Sequence, residues 1–114
     1  MKKVKCDKLV RDMIVEHMLA NNIASKCKTR KVSGEEYGTY LLTKLIEESI
    51  EVAEAKTDEE RIEEVGDLLT VIDAVKRHFY LDADEVEKTR RAKTKLKGAF
   101  REGIVLEEVD YYEH

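Results

Sequence analysis

Leu41–Ala74 reads LLTKLIEESIEVAEAKTDEERIEEVGDLLTVIDA, and the spacing within it decides the fold. Apolar residues recur three and four apart on both sides of Ala55–Thr57, which is the signature of two amphipathic helices. Ser33 and Glu36 have capping-box spacing, so the first of these helices is expected to start at Ser33 and to run to about Ala55. Thr57 and Glu60 repeat the spacing and open a helix reaching about Phe79. The joint between them is so short that the two must be antiparallel neighbours. Working outward, Asp82 with Glu85 caps a further helix that ends near Lys97 at Gly98. Upstream, Leu9, Ile14, Met18 and Leu19 suggest a helix from about Lys8 to Asn21, stopped by Asn21-Asn22. Residues 23–32 read as a basic, irregular connection, and Ile104-Val105-Leu106 as a short strand-like piece. The expectation is one all-α domain over residues 1–114, four-helix bundle-like, with a short extended C-terminal segment.

Composition agrees. The chain has 114 residues, room for one domain, with five glycines and no proline, too few turn formers for a sandwich or barrel. A hydrophobic fraction of 42% argues against disorder. No apolar run approaches the roughly 18 residues of a membrane span, and residues 1–8 lack the apolar stretch of a signal peptide. The expected address is the cytoplasm. Cys6 and Cys27 form no CxxC pair and are expected to be free, incidental thiols.

The net charge of −4 hides a segregation. Residues 1–31 carry nine Lys/Arg against three acids, residues 32–85 five against sixteen, and residues 86–114 seven against six. An acidic middle between basic ends is unlike a nucleic-acid binder, whose bases usually dominate the total. It suits carboxylates that hold cations beside bases that meet an anion.

The position of the acids sharpens this. A helix advances about 100° per residue. With Glu63 as origin, Val71, Val75, Leu68, Ile72, Val65 and Leu69 fill an arc from about 80° to 240°, with Glu64 inside it and Asp67 on its shoulder. With Glu47 as origin, Leu41, Val52, Leu45, Leu42, Ile46 and Ile50 span about 120° to 300°, with Glu48 at the edge and Glu51 beyond it. Each helix thus aims two carboxylates at the seam, and Glu47 lies close enough to join them. Ionised acids at a half-buried seam repel one another and cost several kcal/mol each to desolvate, so cations must answer them. Arg61 on the third helix is one structural candidate; a divalent metal is the other. An all-oxygen donor set favours Mg²⁺ or Mn²⁺ over zinc. No acid stands three residues before His17, His78 or His114, so the Glu-x-x-His of a di-iron bundle is missing. Gly66, inside the third helix, reads either as a close packing contact or as room beside the metal. Gly-rich nucleotide-binding motifs are absent.

The string Glu47-Glu48-x-x-Glu51, followed by Glu64-x-x-Asp67, resembles the EExxE…ExxD signature of the all-α nucleoside triphosphate pyrophosphohydrolases, the superfamily of MazG-like and phosphoribosyl-ATP pyrophosphohydrolase-like proteins. Lys8-Leu9-Val10-Arg11-Asp12 resembles the KLVRDKIP opening of one MazG-like branch, with Met13-Ile14-Val15 in place of its KIP. Lys97-Gly98-Ala99-Phe100 resembles its (K/R)GGF closing segment, with Ala99 in place of a glycine. The resemblance implies a MazG-type fold with Glu48, Glu51, Glu64 and Asp67 as Mg²⁺ ligands. Glu47 would help bind metal or position water, so that Glu47 and Glu48 carry the catalytic roles. It also implies hydrolysis between the α- and β-phosphates of a nucleotide, giving a monophosphate and pyrophosphate, and a dimer or tetramer. Nucleotide-pool housecleaning is the family's usual role. Lys8, Arg11, Lys93 and Lys97 stand in or beside the flanking motifs and become candidates for gripping phosphate oxygens, with Arg101 nearby.

Two rivals stand beside this reading: the phosphoribosyl-ATP pyrophosphohydrolase of histidine biosynthesis, which shares the metal logic, and a non-enzymatic helical interaction protein whose acids are solvated or salt-bridged. An acidic antitoxin has only the separated basic ends in its favour.

Overall fold

A computed structural model describes residues 2–113. The fold is all-α, with four helices among the described residues: α1 (Ile14–Ala20), α2 (Gly34–Glu54), α3 (Asp58–His78) and α4 (Ala83–Lys97). No strand occurs among the described residues, and the expected strand-like piece at Ile104–Leu106 is irregular chain. Two compact units divide it, Met1–Tyr80 and Leu81–His114. No helix among the described residues is long and apolar enough to cross a membrane. Cys6 and Cys27 are both free.

Two of the four helices, α3 and α4, begin where their capping residues place them. Thr57 accepts the Glu60 amide at 3.1 Å, while Glu60 reaches back to the Lys56 amide at 2.9 Å. Together they start α3 only three residues after α2 ends. Asp82 accepts from the Asp84 and Glu85 amides, and Gly98, at φ 88°, ends α4. Ser33 caps α2 without a side-chain bond, because Gly34 follows at φ 58° and Glu36 turns instead to Arg30. The capping box expected there does not form.

The first helix is much shorter than its periodicity suggests. It starts at Ile14, not Lys8, and ends where Asn22 enters the left-handed region at φ 56°. There the Ile23 amide bonds back to the Met18 carbonyl and the Asn22 amide to Leu19, closing the last turn. Residues before it are held by distant partners rather than by a helical ladder: Asp7 accepts from the Tyr40 hydroxyl at 2.6 Å, and Arg11 donates to Asp67 at 2.7 Å.

In unit one, α2 and α3 pack as an antiparallel pair. Among the buried and half-buried positions a four-three repeat runs along each helix: Leu41, Leu45, Glu48 and Val52 on α2, continued by its C-cap Ala55, and Glu64, Leu68, Val71, Val75 and His78 on α3. This seam is narrower than the apolar arcs of the sequence. Leu42, Ile46 (62% exposed) and Ile50 on α2, with Val65 and Leu69 (56% exposed) on α3, lie outside it in solvent. At the open end of the pair Tyr37, His78 and Phe79 stack edge to face, with centroids 4.9 and 4.8 Å apart.

Two glycines of this pair have opposite meanings. A Cβ on Gly38 would lie 2.9 Å from His78 Nε2 and 3.4 Å from Phe79 Cζ, so the close approach of the helices requires its absence. A Cβ on Gly66 would meet nothing within 4 Å, which removes the close-packing reading of that residue. Its position three residues on from Glu63 also turns it away from the seam. Ala gains roughly 1 kcal/mol over Gly inside a helix, whereas overpacking costs about 1–3 kcal/mol. Thermal or urea melts are therefore expected to show Gly66→Ala more stable than wild type by up to about 1 kcal/mol and Gly38→Ala less stable by about 1 kcal/mol.

Candidate metal centre

The four-three repeat places Glu48 of α2 and Glu64 of α3 at positions that an apolar residue would normally fill. Asp67, one turn on from Glu64, rises to the same level. Carboxylate oxygens of Glu48, Glu64 and Asp67 lie within 4.8 Å of one another, and all three side chains are half-buried. Three negative groups so close repel strongly unless cations intervene.

Two protein cations reach the cluster from its sides. Lys44, one turn before Glu48, sits 3.5 Å from Glu48 and 3.4 Å from Glu47. Its side chain is only 19% exposed and that of Glu48 12%. Arg11 donates to Asp67 Oδ1 from a side chain that is 59% exposed. Glu64 has no ion pair among the described residues. Its carboxyl is pushed above its ordinary value, first by partial burial and then by Glu51, Asp67, Glu48 and Glu63 in that order. Arg61, the structural alternative, does not come to the acids. It donates to the Ala55 carbonyl and ties down the joint between α2 and α3.

The remaining site residues sort as follows. Glu51 is exposed and outside the triad, yet near enough to act on Glu64; with Glu54, Ala55, Glu60 and Glu64 it lines an open cleft of about 280 Å³. Glu47 is half-buried against Lys44. Lys8 is exposed in the segment that Arg11 fastens to α3. Lys93 and Lys97 lie in the second unit, one turn apart, and flank a shallow groove along α4 together with Lys88. A polar cluster that the spacing does not reveal surrounds Tyr40. Arg30 donates to its hydroxyl at 3.1 Å and to Glu36, and the same hydroxyl donates to Asp7, which raises the phenol above its ordinary value. Its only trace in the sequence is a Tyr on the polar side of α2 facing a basic connection.

Compared with protein families, curated proteins and solved structures, the chain matches none of them. The chemistry of the site therefore rests on its geometry. Half-buried oxygen donors, one of them without a counter-charge among the described residues, make a set suited to a hard divalent cation.

A raised carboxyl binds its proton more readily in the folded state than in the unfolded one. Stability then falls as pH rises through the interval between the ordinary and the raised value, and is regained below it. In chelator-treated buffer, Glu64→Gln is expected to melt above wild type at pH 7. That advantage should shrink to nothing as melts are repeated at falling pH through the carboxyl range.

Proposed function

We propose that this chain is a cytoplasmic, Mg²⁺-dependent nucleoside triphosphate pyrophosphohydrolase that cleaves between the α- and β-phosphates to release a monophosphate and pyrophosphate, in the service of nucleotide-pool housecleaning. The observation that carries the reading is the convergence of Glu48, Glu64 and Asp67 from two helices onto one point, with no cation paired to Glu64 among the described residues. Mn²⁺ suits the same donors. The order of motifs along the chain, from Lys8–Asp12 through the acids to Lys97–Phe100, supports the choice of nucleotide as substrate.

Glu48, Glu64 and Asp67 would hold the cation, with Glu51 completing the set across the cleft. A divalent ion held there would supply positive charge to polyphosphate oxygens and make an attacking water more acidic. The chain's own contributions are then separable. Glu47, kept in place by Lys44, is positioned to accept a proton as a general base. Lys8 and Arg11 bring positive charge to the acidic end of the pair, matching a polyanion. Lys93 and Lys97 enter through the motif resemblance alone.

A second copy of the chain is the proposed cover for the outer apolar stripes, Leu42, Ile46 and Ile50 on α2 with Ile62, Val65 and Leu69 on α3, all exposed. Continuous apolar ridges of this kind are unusual on a monomer and common at homodimer interfaces.

One observation favours the non-enzymatic rival. Lys44 and Arg11 already answer Glu48 and Asp67, so part of the cluster is a salt-bridge network as it stands. Product analysis separates the readings. With Mg²⁺ and a panel of NTPs, dNTPs and phosphoribosyl-ATP, the expected result is equimolar monophosphate and pyrophosphate. Glu48→Gln and Glu64→Gln should each lower kcat by at least about 100-fold, the scale on which removal of a group acting on the transition state is felt. Release of inorganic phosphate instead, or no turnover of any nucleotide, contradicts the proposal; turnover of phosphoribosyl-ATP alone selects the histidine-pathway enzyme.

A further inference from the structure

The two cations at the cluster differ in a way that assigns them different tasks. Lys44 is wedged between Glu47 and Glu48 on its own helix and nearly enclosed. Arg11 comes from 56 residues away, carries a largely exposed side chain and touches Asp67 through a single N–H to Oδ1. The Arg11 backbone is fixed independently. Its carbonyl accepts from the Ile14 amide at 3.2 Å, and the segment before it is pinned by the Tyr40–Asp7 hydrogen bond. The guanidinium can therefore leave Asp67 by rotating its side chain, with no backbone element undone.

We propose that Arg11 is the displaceable counter-cation of the carboxylate cluster: it holds Asp67 while no divalent ion is present and competes with such an ion for that carboxylate. The proposal rests on the metal-binding reading above. A guanidinium and a divalent cation sharing one aspartate repel each other, and a single exposed ion pair is weak enough to be exchanged. Lys44 lacks that freedom and stays with Glu47 and Glu48. Loading the site thus returns a positive side chain to solvent at its rim, on a segment that also carries Lys8. Arg11 works as a regulator of metal affinity, not as a ligand.

Isothermal titration of the full chain with Mn²⁺, at fixed pH and ionic strength, tests this without turnover. Competition predicts that Arg11→Gln binds Mn²⁺ about three- to tenfold more tightly than wild type, since an ion pair worth at most a factor of about five no longer has to be broken and a like charge is gone. Arg11→Lys keeps the charge and should stay within about twofold of wild type. If Arg11→Gln binds more weakly, Arg11 orients Asp67 for the metal and the competition is overturned. Unchanged affinity overturns it as well, as does Arg11→Lys matching the Gln variant. Failure of wild type and both variants alike to bind Mn²⁺ would instead remove the metal-binding reading, and the competition with it. Melts of all three proteins confirm that each is folded.

Discussion

The structure turns on a conflict between packing and charge at one level of the α2–α3 seam. Two of the ten positions in the four-three repeat are glutamates, Glu48 and Glu64, and a third acid, Asp67, shares their space. An apolar pair in those places would serve the helices better, because each desolvated carboxylate costs several kcal/mol before any partner is counted. Lys44 and Arg11 offset part of that cost. Glu64 has no cation partner among the described residues, and partial burial with the neighbouring acids pushes its carboxyl above the ordinary value. Such an arrangement makes chemical sense where a doubly charged ion resides and where stability has been given up for it.

Much of what frames the cluster is local and was readable from the chain. Thr57–Glu60, Asp82–Glu85 and Gly98 act through hydrogen bonds spanning two to four residues, so α3 and α4 start or stop where those residues stand. The inward aim of Glu48, Glu64 and Asp67 follows from helical geometry once the two helices are known to be neighbours, and the short joint guarantees that they are. Periodicity failed where partners are distant. Residues 8–13 have the spacing of a helix, yet they lie outside α1, and the side chains of Arg11 and Asp7 bond to partners 56 and 33 residues away. The box at Ser33 failed for a smaller reason, a left-handed glycine next to the cap.

The apolar arcs misled in an instructive way. Helical periodicity reports that a face is apolar, not what covers it. On α2 only about half of the arc meets α3; Leu41, Leu45 and Val52 are packed, while Leu42, Ile46 and Ile50 face solvent. On α3 the division falls between Leu68 and Leu69. The acids are therefore nearer the centre of the packed face than the arcs suggested, which deepens their isolation from water. Gly66, set beside Glu64 and Asp67 in the sequence, borders open space, so no packing contact explains it.

If the seam is built around a divalent cation, supplying that cation should relieve the conflict directly. Thermal melts of the chelator-treated protein against increasing Mg²⁺ or Mn²⁺ at neutral pH are the most direct measure. The account predicts a saturable rise in Tm with either ion, absent with equivalent ionic strength from NaCl and abolished in Glu64→Gln. A melting curve indifferent to both ions would contradict it.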